Sequence, residues 1–328
     1  MINFQYLRTS VVKTALGLIA KDSKATFIAG GTNLVDLMKR GVTAPEKLID
    51  INSLPLKEIS YANNLLQVGA LATNTALAEA SIVKEKFPLL SLAIQAGASA
   101  QLRNVATVGG NMMQRTRCGY FYDTTMPCNK REPGSGCGAI GGYNRMHAIF
   151  GTSENCIAVH PSDMCVGLVA LDAQVTIVGP KGERKIRFAD FHKLAGNTPE
   201  KDNTLQKGEL IKSVEIPANN FHKNYHYLKV RDRSSYAFAL VSVAAAMDIK
   251  NGLINDVRLA MGGVAHKPWR LTEAEQFLKG KTPNKTNFEQ ASKIAMNGAK
   301  SFGENDFKLT LAPHAIVEAL TLAQAKTA

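Results

Sequence analysis

Between Met112 and Val159 the chain loses the hydrophobic periodicity that marks helices and strands, and four of its five cysteines lie inside that stretch. Glycines and prolines interrupt it, aliphatic residues are few, and no pattern of period 2 or 3.6 persists. Such a segment cannot bury a core of its own. It must be held by the units on either side or by chemistry at the cysteines. Ordered patterning resumes at Ser162, so residues 112–160 read as an insert within a domain. At 328 residues the chain exceeds the size at which a single core stops growing, roughly 250–300 residues, and two or three units are expected.

The formal net charge is +12, but no run of five Lys or Arg occurs, so a positive surface that meets an acidic partner or aids solubility is favoured over nucleic-acid binding. The opening MINFQYLRTS lacks a charged region followed by an apolar stretch and a cleavage site, and it reads as carrying no export signal. The run Tyr236 to Met247 is too short to span a bilayer, so no membrane insertion is expected.

Residues 25–51 read as strand, loop, helix and strand. Ala25 to Ala29 is β-prone, Gly30-Gly31-Thr32 breaks it, Leu34, Leu37 and Met38 recur at helical spacing until Gly41, and Lys47 to Ile51 returns as a strand. Strands are expected at Glu58 to Tyr61 and Leu65 to Ala70, helices over 75–86 and 89–96, and a β-prone stretch from Gln101 that ends in the glycines of Asn111's loop. Beyond the insert, Ser162 caps a helix over 163–171, and strands follow at 174–178 and 209–216. In the last third, strands at 225–230 and 237–249 precede the hairpin dipeptide Asn251-Gly252 and a partner strand at 253–261. Capping boxes at Thr272/Glu275 and Thr286/Glu289 and a helix from Pro313 complete it.

Two paired-glycine loops carry binding chemistry. Ala29-Gly30-Gly31-Thr32-Asn33-Leu34 lies at a strand-to-helix junction, where glycine lets backbone N–H groups approach a phosphate; by itself this is more often a simple turn. Thr107-Val108-Gly109-Gly110-Asn111 repeats the chemistry, and the two loops together could grip a dinucleotide, although neither fits G-x-G-x-x-G. The insert's Cys118, Cys128, Cys137 and Cys156 are separated by nine, eight and eighteen residues. Four thiolates satisfy tetrahedral zinc or a [4Fe–4S] cube, and the absence of C-x2–4-C knuckles favours the cluster. Two disulfides or buried free thiols remain competing assignments. Cys165, among Met164, Val166 and Leu168, reads as a buried inert thiol; His147 and His160 flank the cysteine segment and read as packed side chains.

FIAGGTNLVDLMKRG, QLRNVATVGGN, PSDMCVGLVALDAQV and GELIKSVEIP resemble, in order, the FAD-binding subunits and domains of the xanthine dehydrogenase, carbon monoxide dehydrogenase and aldehyde oxidoreductase family. The resemblance spans the chain outside the insert. It implies an α+β fold of the molybdenum-hydroxylase flavoprotein, PCMH-like type: FAD-binding subdomains over 1–57 and 58–218, then a C-terminal three-stranded sheet with helices over 219–328. It further implies that Ala29, Gly30, Gly31, Thr32, Asn33, Leu34, Thr107, Gly109, Gly110, Asn111 and Asp163 contact FAD, with Lys229 and Arg231 near the flavin ring. RCGYFYD and PCNKREPGSGCGAIGGYNRMHAIFG resemble the insert of the aldehyde oxidoreductase branch, which implies a [4Fe–4S] cluster on the four cysteines.

The same resemblance implies a large molybdenum-cofactor subunit and a small [2Fe–2S] subunit as partners, and periplasmic residence by export with a signal-bearing partner, the alternative being cytoplasmic. The expected role is electron transfer from the partners through FAD to an external acceptor. Alternatives are the flavin subunit of a 4-hydroxybenzoyl-CoA reductase-like enzyme, a free-standing flavin oxidase, and a basic zinc-bearing nucleic-acid module. The last third shows no Asp/Glu/His grouping for an oxidase site, and the missing knuckles weigh against the nucleic-acid module. Trp269, the one tryptophan, reads as a packing or subunit-contact residue.

Overall fold

A computed structural model of the chain describes residues 1–325. The C-terminal domain expected to reach residue 328 therefore has its last three residues outside the described part. The first unit runs β1 (Gln5–Arg8), α1 (Val12–Lys21), β2 (Ala25–Ile28), α2 (Leu34–Lys39) and β3 (Lys47–Asp50). All three strands are parallel, in the order β1-β3-β2. Sequence patterning left β1 and α1 unassigned, because β1 is exposed along its length and shows no buried alternation.

The second unit contains β4 (Ile59–Ala62), β5 (Leu65–Gly69), α3 (Asn74–Glu79), α4 (Ser81–Lys86), α5 (Pro88–Ala96), α6 (Ala100–Val105), α7 (Val108–Met112), α8 (Gly119–Tyr122), α9 (Asp163–Ala170), β6 (Gln174–Gly179), β7 (Gly182–Arg187), α10 (Phe188–Phe191) and β8 (Leu210–Pro217). Its five-stranded sheet has the order β4-β5-β8-β6-β7. The β-prone reading from Gln101 is corrected to two short helices. Ser99 caps α6 by accepting from Leu102 N, and Thr107 caps α7 by accepting from Gly110 N, so hydroxyl caps override β propensity. Ser162 caps α9 in the same way, and every residue of α9 is buried, which accounts for its apolar character on all sides.

The third unit holds β9 (Asn224–Val230), β10 (Val241–Lys250), β11 (Leu253–Gly262), β12 (Trp269–Arg270), α11 (Thr272–Leu278), α12 (Lys285–Ala295) and α13 (Phe307–Ala325). The expected three strands are joined by the two-residue β12, giving the order β12-β11-β10-β9. Strand β10 is buried on both faces: Val243, Ala245 and Met247 join the core under α11, α12 and α13, while Ala244 and Ala246 pack into the core of the second unit. That double burial explains its continuous apolar run, and the alanines let α5 and α9 lie close to the sheet. Three terminus assignments are corrected. Leu271 and Asn284, not Thr272 and Thr286, occupy the N-cap positions of α11 and α12; Glu275 instead accepts from Leu259 N; and α13 begins at Phe307, with Pro313 inside it.

The insert wraps the seam between the units. Phe121 and Cys128 pack against Leu37 of α2, Ile149 and Phe150 enter the core of the third unit, and Phe150 stacks on Trp269 with ring centroids 5.2 Å apart. Its core is thus borrowed from both neighbours.

Candidate functional site

The glycine loops face each other across a cleft between the first two units. A methyl group on Gly30 would lie 2.1 Å from Val105 O, so this position tolerates no side chain: the first loop touches the turn before α7 through bare backbone. Gly31 has φ +69°, the left-handed conformation that turns the chain into α2. On the opposite side Gly109 lies against Ala70, while a methyl on Gly110 would meet only the Thr107 hydroxyl oxygen, at 2.9 Å. Thr32, Asn33 and Gly110 line both hollows of the cleft, of about 430 and about 460 Å³; Ala29, Gly30, Gly31, Leu34, Thr107 and Gly109 line the second, and Asn111 the first. Asn33 Nδ2 is buried without a hydrogen-bond partner. Two glycine-lined backbone surfaces that face one hollow suit an anionic diphosphate.

Asp163 and Lys229 meet at the floor of the cleft. Lys229 Nζ donates to Asp163 Oδ2 at 2.8 Å and to Ala96 O at 2.9 Å, and Tyr227 Oη donates to Asp163 Oδ1 at 2.8 Å. Desolvation by burial, with the Asp163 carboxylate beside it, holds the Tyr227 phenol protonated far above its usual range. Arg231 is not among the residues that line the cleft; Arg117, Arg233, Tyr236 and Phe238 are, with the Arg117 guanidinium 5.2 Å from the Phe238 ring centre. Sequence reasoning missed these four, although Arg233 and Tyr236 lie a few residues past the Lys229 segment. Tyr236, with φ +50°, holds a left-handed backbone that a non-glycine residue rarely adopts.

Cys118, Cys128, Cys137 and Cys156 line one narrow cavity of about 10 Å³, and none is disulfide-bonded. Cys128 and Cys137 face each other across a local bridge in which Asn129 N donates to Gly136 O and Gly138 N to Pro127 O. Asn129 Oδ1 accepts from Gly134 N and Gly136 N, which fixes the glycine-rich turn between these two cysteines. Burial pushes the Cys118 thiol up to about 12 and the Cys156 thiol up to about 11. Four thiols gathered around one narrow void are a soft donor set of the kind that metal groups select. His147 Nε2 lies 3.1 Å from Cys118 Sγ, and burial lowers the imidazole to about 4, so it is neutral. Cys165 is fully buried in α9, away from this cavity. His160 is stacked at 4.3 Å, centre to centre, on His192. Two residues that the sequence did not single out, Lys130 and Asp202, form a buried ion pair at the cavity edge.

Residues 2–219 match the family model described as FAD binding domain in molybdopterin dehydrogenase, and residues 225–322 match CO dehydrogenase flavoprotein C-terminal domain. The chain belongs to the FAD-binding molybdopterin dehydrogenase family. It is 46% identical over 327 residues to the aldehyde oxidoreductase FAD-binding subunit PaoB of Escherichia coli (strain K12), a match covering 98% of this chain and 99% of that protein. It is 29% identical over 284 residues to the glyceraldehyde dehydrogenase medium chain of Sulfolobus acidocaldarius, covering 86% of this chain and 83% of that one. Among solved structures, carbon monoxide dehydrogenase from Hydrogenophaga pseudoflava superposes with a TM-score of 0.78 at 25% identity over 100% of both chains.

Proposed function

We propose that the chain is the electron-transferring subunit of a molybdenum-dependent aldehyde oxidoreductase, and that it holds FAD in the cleft and a [4Fe–4S] cluster on Cys118, Cys128, Cys137 and Cys156. The observation that carries the reading is a shared wall. Thr116, Cys118, Tyr120 and His147 line both the thiol cavity and an apolar hollow of about 530 Å³ that opens onto the cleft at Ser162 and Asp163. One layer of side chains separates the thiol cavity from this hollow, which in turn shares Ser162 and Asp163 with the cleft, so the hollow connects the two sites. The 46% identity to a FAD-binding subunit of an aldehyde oxidoreductase supports the aldehyde branch over the benzoyl-CoA reductase alternative.

FAD, when bound, collects electrons and releases them to an acceptor, and a cluster passes them singly. The protein's part is positional. The Gly30-Gly31 and Gly109-Gly110 loops bring backbone against the diphosphate, Asp163 and Lys229 fix the floor of the cleft, and His147 holds Cys118 at the wall of the thiol cavity. No aldehyde chemistry is assigned to this chain. It requires a large molybdenum-cofactor subunit and a small [2Fe–2S] subunit as partners, with which it would be exported to the periplasm. The test is an absorption spectrum with metal analysis of the purified chain. Flavin bands with about four iron atoms per chain support the reading; flavin with zinc, or with no metal, overturns the cluster, and no flavin overturns the whole.

A further inference from the structure

Among the described residues that line the thiol cavity, Lys130 is the one that carries a full charge, and its side chain is 1% exposed. An ammonium is costly to bury unless it is paired and hydrogen-bonded. Lys130 Nζ donates to Pro199 O at 2.7 Å and to Asp202 Oδ1. That carboxylate is shared, because Asp202 Oδ2 accepts from Arg115 Nε at 2.7 Å. Burial pushes the Asp202 carboxyl up, but the Lys130 and Arg115 charges beside it win and hold it well below the usual carboxylate range. His266 Nε2 lies 3.6 Å from Asp202 Oδ1, yet burial lowers its imidazole to about 4, so it is neutral. Two cations on one carboxylate leave one positive charge uncompensated, buried at the edge of the thiol cavity.

This charge acts on the thiols. Burial pushes the Cys156 thiol up, and the Lys130 ammonium is the largest influence opposing that push. In a poorly polarisable interior a charge reaches further than it does in water. A group held by four thiolates carries negative charge, and more of it after taking up an electron, so a fixed cation at the wall favours the reduced form. Arg115 does not line the cavity; it packs 4.7 Å from the centre of the Phe121 ring and neutralises Asp202 from the other side. The carboxylate thus anchors Lys130 without cancelling it.

We propose that Lys130 raises the reduction potential of the iron–sulfur cluster on the four cysteines, and that Asp202 and Arg115 are positioning residues that keep its ammonium at the cavity wall. The assignment rests on the cluster reading given above. Its test is a potentiometric titration of the purified, iron-loaded protein with dithionite, followed by the electron paramagnetic resonance signal of the reduced cluster, with iron content measured on every variant. Lys130→Met removes the cation and is expected to shift the midpoint down. Asp202→Asn removes the negative charge, leaves both cations and is expected to shift it up. Arg115→Met is expected to shift it down by less than Lys130→Met, since Arg115 stands behind the carboxylate. Should Lys130→Met fold poorly, Lys130→Gln keeps a donor for Pro199 O and carries the same expectation. Opposite signs at Lys130 and Asp202 are the mark of charge; shifts of one sign, or iron lost from these variants, would mean that the triad only holds the thiol loop and would overturn the proposal. An unmoved midpoint in an iron-loaded Lys130 variant would overturn it as well. Wild-type protein without iron would sink the cluster reading itself, an outcome distinct from loaded variants whose midpoints stay put.

Discussion

Lys229 Nζ lies 2.8 Å from Asp163 Oδ2, with the two side chains 4% and 6% exposed, so strand β9 of the third unit and helix α9 of the second are joined by an ion pair that water barely reaches. Removing one partner of such a pair leaves an uncompensated charge. Lys229→Met is expected to destabilise the protein by about 3–5 kcal/mol, and Lys229→Met combined with Asp163→Asn by clearly less. Urea midpoints of both variants and of Asp163→Asn decide the matter; losses that simply add would mean that the pair contributes no coupling.

The glycines of the cleft separate binding from folding. Gly110→Asp places a carboxylate beside the diphosphate position but meets only the Thr107 hydroxyl, so FAD content should collapse while circular dichroism stays native. Gly31→Asp should also lose FAD, with an added strain cost from φ +69°. Gly30→Ala drives a methyl into Val105 O and should lower stability by about 1–3 kcal/mol before any effect on binding is considered. Native flavin content in Gly110→Asp would contradict the cleft geometry.

Replacing Cys118, Cys128, Cys137 or Cys156 with Ala should lower iron content, expose the insert to protease and cost part of the FAD, because the insert touches Asn33 through Arg115. Cys165→Ala should spare iron. Iron analysis and limited proteolysis of the five variants provide the comparison, and a full cluster in any of the first four would refute the ligand set.

The purified chain, without partner subunits, should accept electrons from a chemical reductant and return them to an acceptor, yet show no bleaching of its flavin by aldehydes. Aldehyde-dependent bleaching of the isolated chain would place substrate chemistry here.

Lys308 supplies a pH test. It is fully buried, donates to His147 O at 2.9 Å and Gly263 O at 2.7 Å, and burial, with Arg145 nearby, pushes it down to about 7. Because the folded state holds this proton less tightly than the unfolded state, unfolded chains bind more protons between pH 7 and the ordinary lysine range near 10.5. The Lys308 contribution to stability therefore rises with pH across that window, by up to about 1.4 kcal/mol per pH unit. Chemical denaturation from pH 6 to 10 should show a steeper upward trend in wild type than in Lys308→Met. Parallel curves would mean that Lys308 is not desolvated.

Much of this was legible in the residues. Strand β10, helix α9 and the Asn251-Gly252 hairpin follow from local patterning and turn chemistry, and the family motifs brought the flavin loops together before any coordinates did. Helices α6 and α7 were misread because β-branched Val105, Thr107 and Val108 outweighed two serine and threonine caps that only geometry reveals. The Asp202 and Arg115 pairing was invisible because its members lie 87 residues apart in a segment without periodicity, where no pattern rule brings an acid to a base. Capping boxes failed at Thr272 because Glu275 had a stronger partner in Arg270 and Leu259 N.

The last helix also bears on the order in which the polypeptide is made. Asn144 donates from its side chain to Phe302 O and from its backbone N–H to Glu304 Oε2, while Lys308 Nζ donates to His147 O, so the cysteine loop is fastened by residues 158 to 161 positions downstream. During synthesis from the N-terminus, the four thiols leave the ribosome long before those fasteners exist. For the whole interval the loop has its sulfurs but not its clamps, and a cluster inserted then would sit in an unfinished mount. A metal group on these thiols would find its complete site only at the end of translation, not when the ligands emerge.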